Sequence, residues 1–224
     1  METKLLSDHA EDLLEAAELL RNGAVVGMPT ETVYGLAADA RNPEAVRQIF
    51  AAKGRPADNP LIVHIAEMRA LEQVAATVPP LAEKLAERFW PGPLTMILPK
   101  RKEIPEITSG GLDTVGIRMP SHPVARALIQ LSGVPIAAPS ANISGYPSPT
   151  TAQHVMRDMQ GKIAAVVDGG ACSVGVESTV IALEPNGTVR ILRPGFVTKE
   201  MLEEVAPEVT LDPAILHQLQ EGQT

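Results

Sequence analysis

Two cations and two prolines open the stretch KGRPADNPLIVH at residues 53–64. Lys53 ends a helical pattern, where the helix dipole favours a cation by about 0.3–1 kcal/mol. Arg55 has no such local explanation. It lies between Gly54 and Pro56 in a segment stiffened by proline, which suits a guanidinium aimed at a phosphate or a carboxylate. The pattern predicts an anion site here, with a solvated surface pair as the alternative.

Two further side chains that could do chemistry fall on strand patterns. His64 lies in LIVHI on the face opposite its apolar neighbours, so it is either a hydrogen-bonded core histidine or a ligand contact. Arg118 directly follows TVGI, near the end of a buried strand, and a buried guanidinium needs an anionic partner. That partner is either a substrate carboxylate held in a bidentate fork or one of the internal carboxylates, Glu31 and Glu177.

The loop PSANISG carries two serines and an asparagine, Ser140, Asn142 and Ser144, between a proline and a glycine. These residue types favour a turn on local grounds. The same hydroxyl and amide groups could hold phosphate oxygens or a hydrated Mg²⁺. The sequence has no GxxxxGK[ST], GxGxxG or GxSxG motif. A bound nucleotide would therefore be held without the common phosphate loops, and a serine hydrolase is unsupported.

The elements that must position these residues alternate between helix and strand patterns. The run NPEAVRQIFAAKG has Asn42 as N-cap, Pro43 at the first helical position and Gly54 just past its end. Buried strand patterns include AVVGM, LIVHI, LTMIL, TVGIRM, PIAA and AAVVD. STVIALE and TVRIL favour a β-hairpin across a Pro-Asn-Gly turn. This order predicts an α/β fold with a mixed twisted sheet, whose polar loops at strand ends would line one crevice.

The length, composition and charge of the chain limit the classes of protein to which it can belong. A chain of 224 residues with no linker-like break between Gly23 and Gly195 predicts one large domain plus a short tail. An apolar run of membrane-spanning length and a secretion signal are both missing, so we expect no membrane partner. Cys172 is the single cysteine, which suits a reducing, cytoplasmic location. The net charge of −8 argues against a nucleic-acid binder that uses its whole surface, but leaves room for a local basic cavity.

Seven stretches occur in an order and spacing that closely resemble the YrdC-like domain of L-threonylcarbamoyladenylate synthases. They are PTETVYGL, KGRPADNPLIVHI, WPGPLT, TVGIRMP, PSANISGYPSPT, GVESTVI and ILRPG. The resemblance covers a core of residues 23–195 within a domain of residues 1–197. It implies an open twisted α/β sheet, flanked by helices, around a positively charged cavity. It also implies that L-threonine, bicarbonate and ATP are joined into threonylcarbamoyl-AMP with release of pyrophosphate. That product is the donor with which downstream transfer proteins modify the adenosine next to the anticodon of certain tRNAs.

The resemblance also assigns site residues. The catalytic, phosphate-binding tetrad of the family corresponds to Lys53, Arg55, Ser140 and Asn142. Further ATP contacts correspond to Asn59, Thr114, Ser148 and Arg193. The contacts to L-threonine correspond to Thr32, His64, Arg118, Ala138 and Ser178. No residue is assigned to a metal, and Mg²⁺ is expected to arrive on the phosphates.

The C-terminal residues 198–224, predicted to form a helix and a tail, depart from the family pattern. They indicate either a short form with an extension or a long form cut back within the linker to a second domain. Two other functions stay open. One is a module that binds double-stranded RNA or tRNA, against which the acidic charge and the few aromatic residues count. The other is a carbamoyl-adenylating domain with a different acceptor, as in larger hydrogenase-maturation proteins whose zinc-finger-like modules need more than one cysteine.

Overall fold

The computed structural model describes residues 1–215, which form seven α-helices, a 3-10 helix and eleven strands. The helices are α1 (Ala10–Arg21), α2 (Pro43–Lys53), α3 (Pro80–Phe89), α4 (Glu106–Ser109), α5 (Pro123–Ser132), α6 (Ala152–Met159) and α7 (Lys199–Glu203), and the 3-10 helix is Met68–Gln73. The strands are β1 (Lys4–Leu6), β2 (Val26–Met28), β3 (Gly35–Asp39), β4 (Ile62–His64), β5 (Leu94–Pro99), β6 (Thr114–Arg118), β7 (Ile136–Ala137), β8 (Ala165–Val167), β9 (Thr179–Leu183), β10 (Thr188–Arg193) and β11 (Glu208–Leu211). Of the described helices, none has the length and apolar character needed to cross a membrane.

The strands join into one open sheet in the order β1-β8-β2-β3-β7-β4-β6-β5-β9-β10-β11. The sheet contains both parallel neighbours, such as β4 and β6, and antiparallel neighbours, such as β5 and β6. The predicted hairpin of β9 and β10 is present and antiparallel. The α/β class with a mixed sheet flanked by helices is therefore confirmed.

Apolar side chains cover both faces of the sheet. Alternation along a strand sends successive side chains to opposite faces, and in β8 Val166 joins one cluster while Ala165 and Val167 join the other. The larger cluster contains buried side chains of α2, α3 and α6, and the smaller one contains those of α1 and α5. The sheet is thus a rigid support for the loops at its strand ends.

Helix α2 forms as its sequence predicts. The Asn42 side chain caps it by accepting from the backbone N–H groups of Glu44 at 3.1 Å and Ala45 at 3.3 Å. Gly54 ends it with φ of 69°, a left-handed conformation that glycine adopts without a steric cost. These two signals fix where the helix begins and ends. Lys53 therefore lies in its last turn and Arg55 just beyond it.

Several elements were not expected from the sequence. Strand β3 has the composition GLAAD, which lacks the β-branched and aromatic residues that mark strands, and it forms because it pairs with β2 and β7. The C-terminal segment contains helix α7, and β11 then adds an edge strand parallel to β10. The remainder of the predicted tail, residues 216–224, lies outside the described residues.

Candidate functional site

A cavity of about 270 Å³ opens where β4 and β6 end, between the loops that follow β2, α2 and β7 and the loop that precedes β9. Eight of the residues that the resemblance assigns lie in its wall. They are Thr32, Arg55, His64, Arg118, Ala138, Ser140, Ser178 and Arg193. Residues up to 161 positions apart in the sequence thus meet at one site, as the crevice prediction requires.

Arg118 has its anionic partner inside the protein. Its Nη1 donates to Glu31 Oε1 at 2.9 Å, and both side chains are buried. Nη2 donates to Thr32 Oγ1 at 3.3 Å, while the backbone N–H of Ser121 donates to the second Glu31 oxygen at 3.0 Å. Burial alone would raise the pKa of Glu31, but the Arg118 guanidinium and these hydrogen bonds hold it below its usual range. Among the anionic partners that the sequence left open for Arg118, Glu31 is the one that contacts its guanidinium.

Arg193 forms a second ion pair in the wall. Its Nη1 donates to Glu177 Oε2 at 3.2 Å, its Nε to the Ser178 carbonyl at 3.0 Å and its Nη2 to the Ser178 hydroxyl at 3.1 Å. Burial lowers the pKa of Arg193, partly offset by the charge of Glu177. Arg193 thereby links the end of β10 to the residue that precedes β9.

Lys53 and the loop after β7 form one unit, as the sequence hypothesis demands. The Lys53 ammonium donates to the Ser140 carbonyl and, at 3.4 Å, to Asn142 Oδ1, and Ser140 Oγ donates to the same Asn142 oxygen. The Asn142 amide donates to the carbonyls of Ile143 and Tyr146 within that loop. Lys53 and Asn142 therefore lie directly behind Ser140 rather than in the cavity wall. Burial, followed by the charge of Arg55, lowers the pKa of Lys53 to about 8.

Arg55 lines the cavity without an anionic partner. Its guanidinium carbon lies 5.5 Å from the centre of the Phe50 ring, within cation–π range. Its Nε is buried and makes no hydrogen bond. Neither Arg55 nor Lys53 forms an ion pair within residues 1–215, whereas Arg118 and Arg193 both do. Arg55 is thus the cation of the wall that is open to an incoming anion.

His64 is both buried and part of the cavity wall. Its Nδ1 lies 3.3 Å from the carbonyl oxygen of Ile136 on the neighbouring strand. A carbonyl only accepts, so Nδ1 carries the proton and Nε2 is left with a lone pair. Burial, followed by the positive charge of Arg118, lowers the pKa of His64 to about 3. His64 is therefore a neutral, hydrogen-bonded histidine that also lines the cavity, and its contact with a ligand stays a prediction.

Like Lys53 and Asn142, three of the four further ATP contacts do not lie in the cavity wall. Asn59 is exposed, although the adjacent Pro60 lines the cavity, and Ser148 is half-buried in the loop before α6. Thr114 begins β6, where it pairs with Pro99 of β5. These assignments stay predictions.

Sequence reasoning missed two threonines that organise the site. Thr30 lines the cavity and donates to the carbonyl of Val33 at 2.6 Å. Thr95 is fully buried on β5 and lies 2.8 Å from the Ser178 hydroxyl. Thr30 had a signal, because threonines flank Glu31 on both sides. Thr95 had none, since its partner lies 83 residues away.

Comparison with known proteins places the chain among relatives. Residues 18–195 match the Sua5–YciO–YrdC family, described as telomere recombination. The chain is 56% identical over 200 residues to the threonylcarbamoyl-AMP synthase of Pyrococcus abyssi, covering 89% of this chain and 58% of that protein. It is 52% identical over 218 residues to the threonylcarbamoyl-AMP synthase of Bacillus subtilis, covering 96% of this chain and 62% of that one.

A solved structure gives the same match in three dimensions. The crystal structure of P. abyssi Sua5 complexed with L-threonine superposes with a TM-score of 0.91 at 51% identity. The match covers 96% of this chain and 64% of that one. The chain spans about three fifths of the length of these relatives.

Proposed function

The chain belongs to the Sua5–YciO–YrdC family, and we propose that it joins L-threonine, bicarbonate and ATP into L-threonylcarbamoyl-AMP with release of pyrophosphate. One observation carries the proposal. The segments around residues 54 and 141 meet at one cavity, and Arg118 and His64 lie in the same cavity wall. The side proposed to bind phosphate and the side proposed to bind the amino acid are thereby adjacent, which supports a reaction between the two substrates.

The unpaired cations suit the nucleotide. ATP carries about four negative charges, which would repel a carbamate anion unless cations offset them. Arg55 supplies a guanidinium without an ion-pair partner in the described part of the chain. Lys53 lies behind Ser140 and donates to the loop, so it adds positive charge next to the cavity rather than a donor inside it. With a pKa of about 8, Lys53 is mostly protonated at neutral pH.

The opposite side suits the amino acid. A substrate carboxylate that reaches Arg118 would share a guanidinium that Glu31 already neutralises. The Arg118 hydrogen bonds would therefore orient the substrate, while the net electrostatic attraction would be small. Thr32, His64 and Ser178 add a hydroxyl, a neutral imidazole and a second hydroxyl around it. The P. abyssi relative was crystallised with L-threonine, which supports this substrate.

The chemistry needs positioning and charge neutralisation more than a covalent nucleophile. A carbamate oxygen of N-carboxylated threonine attacks the α-phosphorus, the bond to the bridging oxygen breaks, and pyrophosphate leaves in line. Residues 1–215 offer no group of three or more His, Cys, Asp or Glu side chains able to hold a metal. We therefore expect Mg²⁺ to be held by the phosphate oxygens, where it would neutralise further charge. Transfer proteins that use the product, contact with tRNA and a cytoplasmic location stay predictions from the sequence.

The test is pyrophosphate release in the presence of L-threonine, bicarbonate and ATP, with each omitted in turn. We expect release to require all three. Calorimetric titration with L-threonine and with ATP runs alongside, because the longer relatives contain segments that turnover could need. Release that continues without threonine would overturn the proposal, as would the absence of both turnover and binding.

A further inference from the structure

The Ser178 hydroxyl lies at the cavity between two neighbours that fix its direction. Arg193 Nη2 lies 3.1 Å from Ser178 Oγ, and Thr95 Oγ1 lies 2.8 Å from it. A guanidinium has donors and no acceptor, so the Ser178 oxygen must accept from Arg193. What remains to be decided is which hydroxyl donates in the contact between Thr95 and Ser178.

Burial of Thr95 decides that direction. Thr95 is 0% exposed, and Ser178 Oγ is the hydrogen-bond partner found for its hydroxyl within the described residues. If Ser178 donated, the Thr95 proton would be buried without an acceptor, which proteins strongly avoid. Thr95 therefore donates, and Ser178 Oγ accepts two hydrogen bonds, one of them from a charged group. No group among residues 1–215 accepts the proton of the Ser178 hydroxyl. This proton is therefore available to a ligand that enters the cavity.

We propose that Thr95 is a positioning residue that, together with Arg193, sets the Ser178 hydroxyl as a hydrogen-bond donor into the cavity, directed at an anionic oxygen of the substrate. The inference rests on the proposed function, under which this oxygen belongs to the carboxylate of the amino acid. Two accepted hydrogen bonds also polarise the Ser178 O–H group and strengthen its donation.

A second hydroxyl of this wall, that of Thr32, has the opposite polarity. The Thr30 proton goes to the Val33 carbonyl at 2.6 Å, so in the 2.9 Å contact with Thr32 the donor is Thr32. Thr32 also accepts from Arg118, which leaves its oxygen with acceptor capacity alone. One donating and one accepting hydroxyl match a substrate that has an anionic oxygen at one end and an N–H group at the other.

The test compares Thr95→Val, which keeps the shape and removes the donor, with Thr95→Ser, which keeps the hydroxyl. The readout is the Kd for L-threonine, measured by calorimetry on the full chain. We expect the Kd to rise about 3- to 10-fold in Thr95→Val, the size of one ordinary hydrogen bond. Thr95→Ser should stay within about 2-fold of the unmodified protein.

A double-mutant cycle separates positioning from a general packing effect. If Thr95 acts through Ser178, the Kd of Thr95→Val/Ser178→Ala should equal that of Ser178→Ala alone. L-threoninol, which lacks the carboxylate, serves as the probe for the anionic oxygen. The Ser178→Ala variant should lose affinity for L-threonine and keep its affinity for L-threoninol, a comparison that holds even if Thr95→Val fails to fold.

The binding measurements distinguish the proposed function from the role of Thr95. An unmodified protein that does not bind L-threonine refutes the proposed function. A protein that binds L-threonine while Thr95→Val binds it equally well refutes only the role of Thr95. Additive losses in the double variant, or equal losses for L-threonine and L-threoninol in Ser178→Ala, also contradict the inference.

Discussion

The two sides of the cavity use cations in opposite ways. On one side Arg118 is buried against Glu31 at 2.9 Å, and further hydrogen bonds hold both groups. On the other side Arg55 has no ion-pair partner among residues 1–215, and Lys53 contacts only neutral oxygen atoms there. The first side can be called the paired side and the second the unpaired side.

The difference separates orientation from attraction. A guanidinium neutralised by a carboxylate adds no net charge, but its direction is fixed, so it can present defined donors to a small substrate. Cations without carboxylates leave a positive charge that a polyanion can neutralise. Under the proposed function, the paired side would orient the amino acid and the unpaired side would attract the triphosphate.

The largest expected effect comes from breaking the pair on the paired side. Glu31→Gln leaves the Arg118 charge buried without a carboxylate, and we expect the free energy of unfolding to fall by about 3–5 kcal/mol. Chemical denaturation measures it. The matched control is Glu44→Gln, which breaks the exposed pair of Glu44 with Arg47 and should cost no more than about 1 kcal/mol. Equal losses in the two variants would show that the buried pair is not what stabilises this side.

Removing the free guanidinium should affect activity instead of stability. For Arg55→Ala we expect pyrophosphate release to slow by about 10- to 150-fold for each charge-assisted hydrogen bond to phosphate that is lost. The free energy of unfolding should change by less than about 1 kcal/mol, because Arg55 has no ion pair to lose. Arg47→Ala, an exposed arginine on α2, is the control. Near-normal turnover in Arg55→Ala would remove the distinction between the two sides.

The sequence predicted the unpaired side better than the paired side. The caps at Asn42 and Gly54 are local signals, and they fix where α2 stops and where Arg55 begins. The partner of Arg118 could not be predicted in the same way, since Glu31 lies 87 residues away and is brought close by the order of the strands. Local rules left Glu31 and Glu177 as equal choices.

The same limit explains the missed strand and the missed threonine. Strand β3, with small residues and no strong propensity, exists because β2 and β7 supply its hydrogen bonds. Thr95 becomes important only once β5 pairs with β9, which places it beside Ser178. Motif resemblance supplied the residues that are expected to contact the ligand, whereas the residues that hold them in place could be recognised only from the order of the strands.

Lys53 gives a pH test of the unpaired side. Its pKa of about 8 in the folded chain lies below the ordinary 10.5, so between these values the unfolded chain binds more protons and stability rises with pH. Relative to Lys53→Met, the unmodified protein should gain about 2 kcal/mol in free energy of unfolding from pH 7.5 to pH 10. Urea denaturation at the two pH values measures the gain. A difference that does not change with pH would mean that the folded protein holds the Lys53 charge without a penalty.

His64 gives the smallest effect and a test of the paired side. Burial and the neighbouring charge of Arg118 lower its pKa from 6.5 to about 3, so the unfolded chain takes up a proton as the pH falls through 6.5 while the folded chain does not. The stability that His64 contributes is therefore complete above pH 6.5 and is lost towards pH 3. Relative to His64→Asn, the unmodified protein should lose about 1.4 kcal/mol in free energy of unfolding from pH 7.5 to pH 5.5. If stability relative to the variant rose on acidification instead, the folded protein would be holding a charged imidazole beside Arg118, and this side would carry positive charge like the other.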